Sequence, residues 1–508
     1  MKKLLLFPAL IILLITGCSS LSTYSQDTDG LPTAKTSQVV ELKDGDRYNL
    51  TAEMVVKDIN GEQVKMLGYN GMIPGPFLKV KRGSTITINF KNQTDVETTL
   101  HSHGVRLDNA FDGTHLTQKH IPVGGTFTYE ITFPDTGIYW YHPHVREDYA
   151  QEMGLYGNYL VQSEDPDYWS PVNQEIPLVI DDLDLENGKI EPFDRKYADH
   201  VLMGRYGNTS FVNGDTDYQL KLTAGEVVRF YVTNVSNARP YQLTIPNVQM
   251  KYVGGDASKI EREEFVESII LSPSERAVIE AFFPKSGEFE IVNKNSASST
   301  TLGKIIVSNG QLASSYADQF QKPRTNADVI ADIDTFRPYF DKPVDKSLRL
   351  TVQMAAMGEM MMHGDHMMGG MMMGAGQKIE WEDTMGDMNT NATSENTTWK
   401  LIDEATGKEN MDIDWKFNQG DVVKVRIFND QGSMHPMQHP IHLHGQRFLV
   451  LSTNGIQNSN LVWKDTTLVQ TGDTAELLVE MSNPGKWMLH CHIAEHLEGG
   501  MMMGFEVL

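Results

Sequence analysis

The feature that most limits what this 508-residue chain can become is one fifteen-residue pattern written three times. Residues 80–94 read VKRGSTITINFKNQT, residues 222–236 read LTAGEVVRFYVTNVS, and residues 417–431 read FNQGDVVKVRIFNDQ. Each sets an Asn nine residues after a Gly, and apolar side chains alternate between those marks: Ile86, Ile88 and Phe90, then Val228, Phe230 and Val232, then Val423, Val425 and Ile427. Period-two alternation bounded by turn residues is the signature of a strand with one face buried. A second echo follows in each unit, FPDTGIYWYHPH from Phe133, FPKSGEFEIVNKN from Phe283 and NPGKWMLHCHI from Asn483. This self-similarity predicts three copies of one β domain, which agrees with a length of about three domains at roughly 150 residues each. Short strands between turn signals favour Greek-key sandwiches or barrels over any α/β fold, and helix signals are sparse. The expected layout is domain 1 over 41–163, domain 2 over 173–310, a linker over 311–345 where Pro, Asp, Ser and Gln gather, and domain 3 over 346–508.

Composition narrows the function classes. Against 67 acidic residues stand 43 basic ones, a net charge of minus 24, so no phosphate-neutralising surface is available and nucleic-acid binding is excluded. Two cysteines beside 27 methionines are the anomaly. Lys2 and Lys3 precede an apolar run from Leu4 to Ile15 that is too short to span a bilayer and reads as a secretory leader. The stretch Ile15-Thr16-Gly17-Cys18 resembles a bacterial lipoprotein signal, over residues 1–18. That resemblance implies export, a lipid on Cys18, and attachment to a bacterial membrane facing the periplasm or cell exterior. Residues 19–40, rich in Ser, Thr, Asp and Gly, are then expected to form a flexible tether. Cys491 is left without an intrachain partner in an oxidising compartment, and its neighbours point to a metal.

Ten of the sixteen histidines fall in four short motifs: His101-Ser102-His103, His142-Pro143-His144, His439-Pro440-Ile441-His442-Leu443-His444, and His490-Cys491-His492 with His496. Every motif holds a His-x-His pair, and residues i and i+2 of a strand share a face, so each pair presents two imidazoles to one place. Imidazole with thiolate selects copper, zinc or iron over magnesium or calcium. On its strand Cys491 points one way while His490 and His492 point the other, which lets one strand join two metal sites. On the thiol side His439, Cys491 and His496 give the trigonal set of a blue-copper electron-transfer centre, with Met501 as the weak axial ligand.

The four motifs and the threefold repeat resemble those of the multicopper oxidases. The resemblance implies three cupredoxin domains, an all-β fold, four copper ions per chain, and one-electron oxidation of a substrate coupled to reduction of dioxygen to water. It implies a type 1 copper on His439, Cys491, His496 and Met501 and a type 2 copper on His101 and His442. It gives the type 3 coppers His103, His142 and His492 on one ion and His144, His444 and His490 on the other. Domain 2 has Val292 and Lys294 where the repeat aligns the His pair, so it is expected to hold no copper. Asp112 resembles the family's acid near the type 2 copper, with an Asp-Gly turn as the alternative. Many bacterial members carry Glu directly after the second type 1 histidine, but this chain has Leu497 and then Glu498, which leaves the proton donor open. His115, His120 and His200 stand outside any motif and read as structural.

From Met354 to Met373 ten of twenty residues are methionine, with His363 and His366 among them, and Met385 and Met388 follow. Gly364, Gly369, Gly370 and Gly374 argue against a packed helix, whereas thioethers are soft ligands suited to cuprous copper. The segment 354–388 is expected as a copper-collecting insert. Met354-Ala355-Ala356-Met357-Gly358-Glu359 resembles the start of the Met-rich insert of cuprous oxidases, which implies a substrate copper on Met354, Glu359, His435 and Met437, with Glu359 and His435 standing where that group has Asp. The leading expectation is a monomeric cuprous oxidase acting in copper tolerance, with dioxygen and cuprous ion or a small reductant as partners. A laccase-like oxidase of phenols or other metals and a non-catalytic copper-binding lipoprotein are the alternatives.

Overall fold

The computed structural model describes residues 23–354 and 378–508. Cys18, Glu359 and most of the methionine segment lie outside the described residues. The fold is all-β, three cupredoxin-like units in tandem, each a pair of sheets closed over an apolar core.

The repeat occupies the same place in every unit. Its three strands are Thr85–Gln93, Glu226–Asn234 and Val422–Asn429. Each runs parallel to the unit's first long strand, Arg47–Ile59, Gln174–Leu183 or Lys346–Met354. Each is antiparallel on its other side to Thr126–Thr132, Arg276–Phe283 or Thr474–Glu480. The alternating residues face the core: Ile86, Ile88, Phe230, Val232 and Ile427 are completely buried.

The repeated Asn has one task in all three units. Asn92 Nδ2 donates to Val96 O (2.8 Å) and Ile121 O (3.0 Å), Asn234 Nδ2 to Arg239 O (2.9 Å) and Leu271 O (3.0 Å), and Asn429 Nδ2 to Met437 O (2.7 Å) and Val469 O (3.0 Å). A buried amide with both N–H groups satisfied ties the segment after the repeat strand to its neighbour. In domain 3 that segment leads directly into His439.

Three expectations need correction. The tether over 19–40 is packed against domains 1 and 2 from its described start: Tyr24 is buried, stacks on Tyr149 at 3.8 Å, and donates its backbone N–H to Phe193 O, while Val39–Glu41 pairs with Phe77–Lys81. Aromatic burial outweighs the polar composition of the surrounding residues. The methionine insert does not extend to 388 as one unit, because Ile379 and Trp381 are buried and Met385 packs against the domain 3 core. Finally, 311–345 is more than a connector. The helix Ala327–Asp334 buries Val329 and Ile333, and Trp463 Nε1 donates to Asp332 at 2.7 Å.

Candidate metal centre

Strand pairing brings the four motifs together. His101–His103 pairs antiparallel with Gly137–His142, setting His101 across from His142. In domain 3 His439–Leu443 pairs with Gly485–Cys491, setting His442 across from His490 and Ile441 across from Cys491. Domains 1 and 3 then face each other: the rings of His103 and His442 stack at 3.6 Å, those of His101 and His444 lie 4.1 Å apart, and His142 and His144 lie 5.0 and 5.2 Å from His492 and His490.

All eight cage histidines are buried, and their two ring nitrogens are treated differently. One nitrogen of most rings meets an oxygen. His101 Nδ1 contacts Asp112 O at 2.7 Å, His142 Nδ1 contacts Pro143 O at 2.8 Å, His442 Nδ1 contacts Asp465 O at 2.8 Å, and His490 Nδ1 contacts Cys491 O at 2.8 Å. His103 Nε2 lies 3.0 Å from Asp465 Oδ1, and His444 Nδ1 lies 3.1 Å from both oxygens of Asp112. The nitrogens left over, Nε2 of His101, His142, His144 and His442, Nδ1 of His103 and both of His492, have no hydrogen-bond partner. His444 Nε2 and His490 Nε2 approach to 2.9 Å. A ring that donates through one nitrogen exposes a lone pair on the other, the form in which histidine binds a metal. Burial first, then the neighbouring imidazoles, pushes His103, His142, His144, His442 and His490 well below the ordinary histidine range, which keeps these rings neutral.

The thiol side forms a nearly equilateral triangle. Cys491 Sγ lies 3.6 Å from His439 Nδ1 and 3.7 Å from His496 Nδ1, and the two nitrogens are 3.3 Å apart. Three donors sharing one ion in a plane, with bonds of about 2.0–2.3 Å, are spaced by about 3.5–4 Å. The residues therefore fit one copper. Burial pushes the Cys491 thiol above its ordinary range, and Met501 is fully buried in the same core.

Three family models, each described as multicopper oxidase, match residues 51–166, 173–310 and 381–508. The chain belongs to the multicopper oxidases. It is 27% identical over 444 residues to multicopper oxidase mco of Staphylococcus aureus, covering 86% of this chain and 82% of that one. To multicopper oxidase MmcO of Mycobacterium tuberculosis it is 24% identical over 492 residues, covering 89% and 85%. Among solved structures, the metallo-oxidase from Campylobacter jejuni shares its fold at a TM-score of 0.68, with 23% identity and coverage of 95% and 99%. Copper is the family's cofactor, dioxygen its acceptor.

Within this multicopper oxidase the expected ligands lie close together, in groups that partly cross the expected sets. Donor atoms of His144, His444 and His490 lie within 4.8 Å of one another, as do those of His101, His442 and His444. The rings of His103, His142 and His492 are 4.9–5.7 Å apart. Asp112 is buried against His444 and His101. Burial opposes its ionisation, but His444 and the hydrogen bonds from both rings prevail and hold it below the usual carboxylate range. Among the described residues Glu498 makes no hydrogen bond or ion pair with a cage histidine; its Oε1 accepts from the backbone N–H of Glu147 at 3.3 Å. Burial, then Asp148, pushes Glu498 up to about 7.

Two buried carboxylates escaped sequence reasoning. Glu147 lies 3.2 Å from His144 Nδ1 and 3.9 Å from His142 Nδ1, and an acid three residues after His144 was the available signal. Asp465 has no local signal: the pairing of Thr466–Val469 with His439–Leu443 sets it beside His442, and it reaches His103 only where domain 1 meets domain 3.

The expected substrate-copper residues are less unified. Met354 is half-buried at a strand end opposite Thr397, and Met437 is fully buried in the domain 3 core. His435 is buried with Nε2 unpartnered, and burial, partly offset by Asp383, pushes it down to about 4. Trp399 connects His435 to the triangle: its ring lies 6.4 Å from His435 and 4.8 Å from His439, and stacks on His496 at 4.1 Å.

Proposed function

We propose that this multicopper oxidase takes single electrons from cuprous ion at the His439, Cys491 and His496 triangle and delivers them to dioxygen at the eight-histidine cage. When bound, copper supplies the one-electron chemistry that couples four substrate oxidations to reduction of dioxygen to two waters. The proposed ligands are His439, Cys491, His496 and Met501 for the type 1 ion and His101 and His442 for type 2. His103, His142 and His492, and His144, His444 and His490, hold the type 3 pair, four ions in all.

The observation that carries this reading is the strand ending at Cys491. Its thiol belongs to the triangle, while His490 and His492 belong to the cage, and His490 Nδ1 contacts the Cys491 carbonyl at 2.8 Å. One residue therefore separates electron entry from the oxygen site. Asp112 orients His444 and His101. Glu147 faces His144, and the Glu498 carboxylate rests on the backbone N–H of Glu147, so two acids beside the cage are the proposed proton carriers.

Cuprous ion is favoured as substrate by the soft thioethers leading from Met354, by the unpartnered His435 nitrogen beside Trp399, and by a charge of minus 24, which becomes minus 26 if Lys2 and Lys3 leave with the leader. Export with a lipid on Cys18, a monomeric state and a role in copper tolerance complete the reading. Copper-loaded protein should consume oxygen faster with cuprous ion than without it; equal rates defeat the proposal.

Laccase-like oxidation of phenols is the second reading, favoured by relatives named laccase, among them Laccase-1 of Cryptococcus neoformans at 26% identity over 510 residues. Deleting residues 355–377 separates the two. Loss of cuprous turnover with gain of phenol turnover supports cuprous ion, and unchanged cuprous turnover counts against it. The deletion stops before Lys378 because Ile379 and Trp381 are core residues.

A further inference from the structure

Domains 1 and 3 supply every histidine of the cage, yet an arginine of domain 2 stands directly behind it. Arg276 is 1% exposed and opens the strand Arg276–Phe283. Its Nη1 donates to Asp465 Oδ1 at 2.7 Å and its Nη2 to Asp465 Oδ2, a two-pronged grip on a carboxylate of domain 3. Nε donates to Ile138 O of domain 1 at 3.0 Å, and Nη1 also reaches Ser274 O at 2.9 Å. The guanidinium thus contacts all three domains at once.

Asp465 passes that grip to two cage residues. Its Oδ1 accepts from His103 Nε2 at 3.0 Å, and its backbone carbonyl accepts from His442 Nδ1 at 2.8 Å. The hydroxyl of Thr466 lies 3.1 Å from each of the same two nitrogens. His103 is turned opposite to its neighbours: it spends Nε2 on Asp465 and leaves Nδ1 unpartnered, whereas His101, His142, His144 and His442 leave Nε2. That orientation needs an acceptor fixed in place at Nε2. A lone carboxylate rotates, while one held by both prongs of a guanidinium does not. Gly104 makes the room, at φ +81°, since a Cβ there would collide with Asp465 and Arg276.

We propose that Arg276 is a positioning residue for the copper cluster, acting through Asp465 to set the ring of His103 and the tautomer of His442. The copper-free domain is thereby part of the oxygen site. This inference rests on the reading that the cage histidines hold copper. An outer partner of a metal-bound histidine typically alters affinity by about 10–100-fold.

The test is chelator competition on copper-loaded protein, following cage copper by elemental analysis and electron paramagnetic resonance and the triangle by its blue absorption. Arg276→Gln should weaken cage copper by about 10–100-fold with the blue band retained, and Arg276→Lys, which keeps charge without the fork, should fall between it and the wild type. Because Arg276→Gln strands a buried carboxylate, Arg276→Met/Asp465→Leu, which removes both charges, is the second arm and should show the same selective loss. Arg239→Gln is the control, since Arg239 also joins domains 2 and 3, through Asp182 and Glu382, without touching a cage histidine. Cage affinity within about twofold of wild type in both Arg276 arms, parallel loss of cage copper and blue band, or the same selective loss in Arg239→Gln overturns the proposal. If wild-type protein holds no cage copper, the underlying functional reading fails instead.

Discussion

Replacing Asp112 tests how the cage is kept ready for metal. Its two oxygens each lie 3.1 Å from His444 Nδ1, and its backbone oxygen lies 2.7 Å from His101 Nδ1. Asp112→Ala removes the side-chain acceptor but leaves the backbone one, so His444 loses its partner and His101 keeps most of its own. A hydrogen bond to a charged group is worth about 1.5–3 kcal/mol, and an unpaired buried N–H costs a further amount of similar size. Shared between the empty and metal-bound states, this corresponds to a loss of about 1.4–2.7 kcal/mol, or 10–100-fold, in cage copper affinity. Asp112→Asn retains a neutral acceptor worth about 0.5–1.5 kcal/mol and should lose only about tenfold. Chelator competition gives the affinity, and an oxygen electrode gives turnover at saturating copper. The blue absorption should persist in both variants, because no triangle residue contacts Asp112. Wild-type affinity in Asp112→Ala, or an Asn variant weaker than the Ala variant, refutes the orienting role.

Cys491→Ser should abolish blue absorption and oxygen uptake together, and in a Cys18→Ser background the metal-free thiol should react with Ellman's reagent only after denaturant opens its fully buried site. His200 sits 2.8 Å from Asp199 and 3.2 Å from Glu191, which outweigh its burial and push it up to about 9. Because the folded value is raised, that stabilisation is complete below about pH 6.5 and is lost as pH rises towards 9, by at most roughly 3 kcal/mol; urea midpoints should fall across this window in the wild type and less in His200→Gln. Tyr24→Ala removes a buried ring stacked on Tyr149 and should destabilise domain 1 by about 3 kcal/mol, read as a lower thermal transition. An unchanged transition would restore the tether.

The parts of the fold that were legible in the sequence are those that depend on local facing. Alternation around Ile88, Phe230 and Val425 marked the three repeat strands, and those residues are buried; in domain 2, however, Glu226–Asn234 is buried along both faces, because Arg229 and Tyr231 on the other face are covered as well. The spacing of Asn92, Asn234 and Asn429 was visible as well, although its purpose, tying two carbonyls at the strand end, needed the packed domain. The tether failed because one aromatic among polar residues leaves no periodic trace, whereas Tyr149 and Arg195 provide a site for it. The methionine segment failed at its far end for a similar reason: Ile379 and Trp381 are too few to mark where core packing resumes.

The sequence by itself determined which donors exist and which side of each strand they occupy, since the two-residue period of a strand is a property of the backbone. The His-x-His pairs and the Cys491 strand therefore declared a metal centre before any folding was considered. The tertiary structure alone decided what stands behind those donors. Glu147 reaches His144 by a turn, Asp465 reaches His103 where domain 3 meets domain 1, and Arg276 arrives from a different domain, 189 residues before Asp465 in the chain. Such partners are chosen by register and by the meeting of three domains, and burial makes their hydrogen bonds obligatory only once that meeting has occurred.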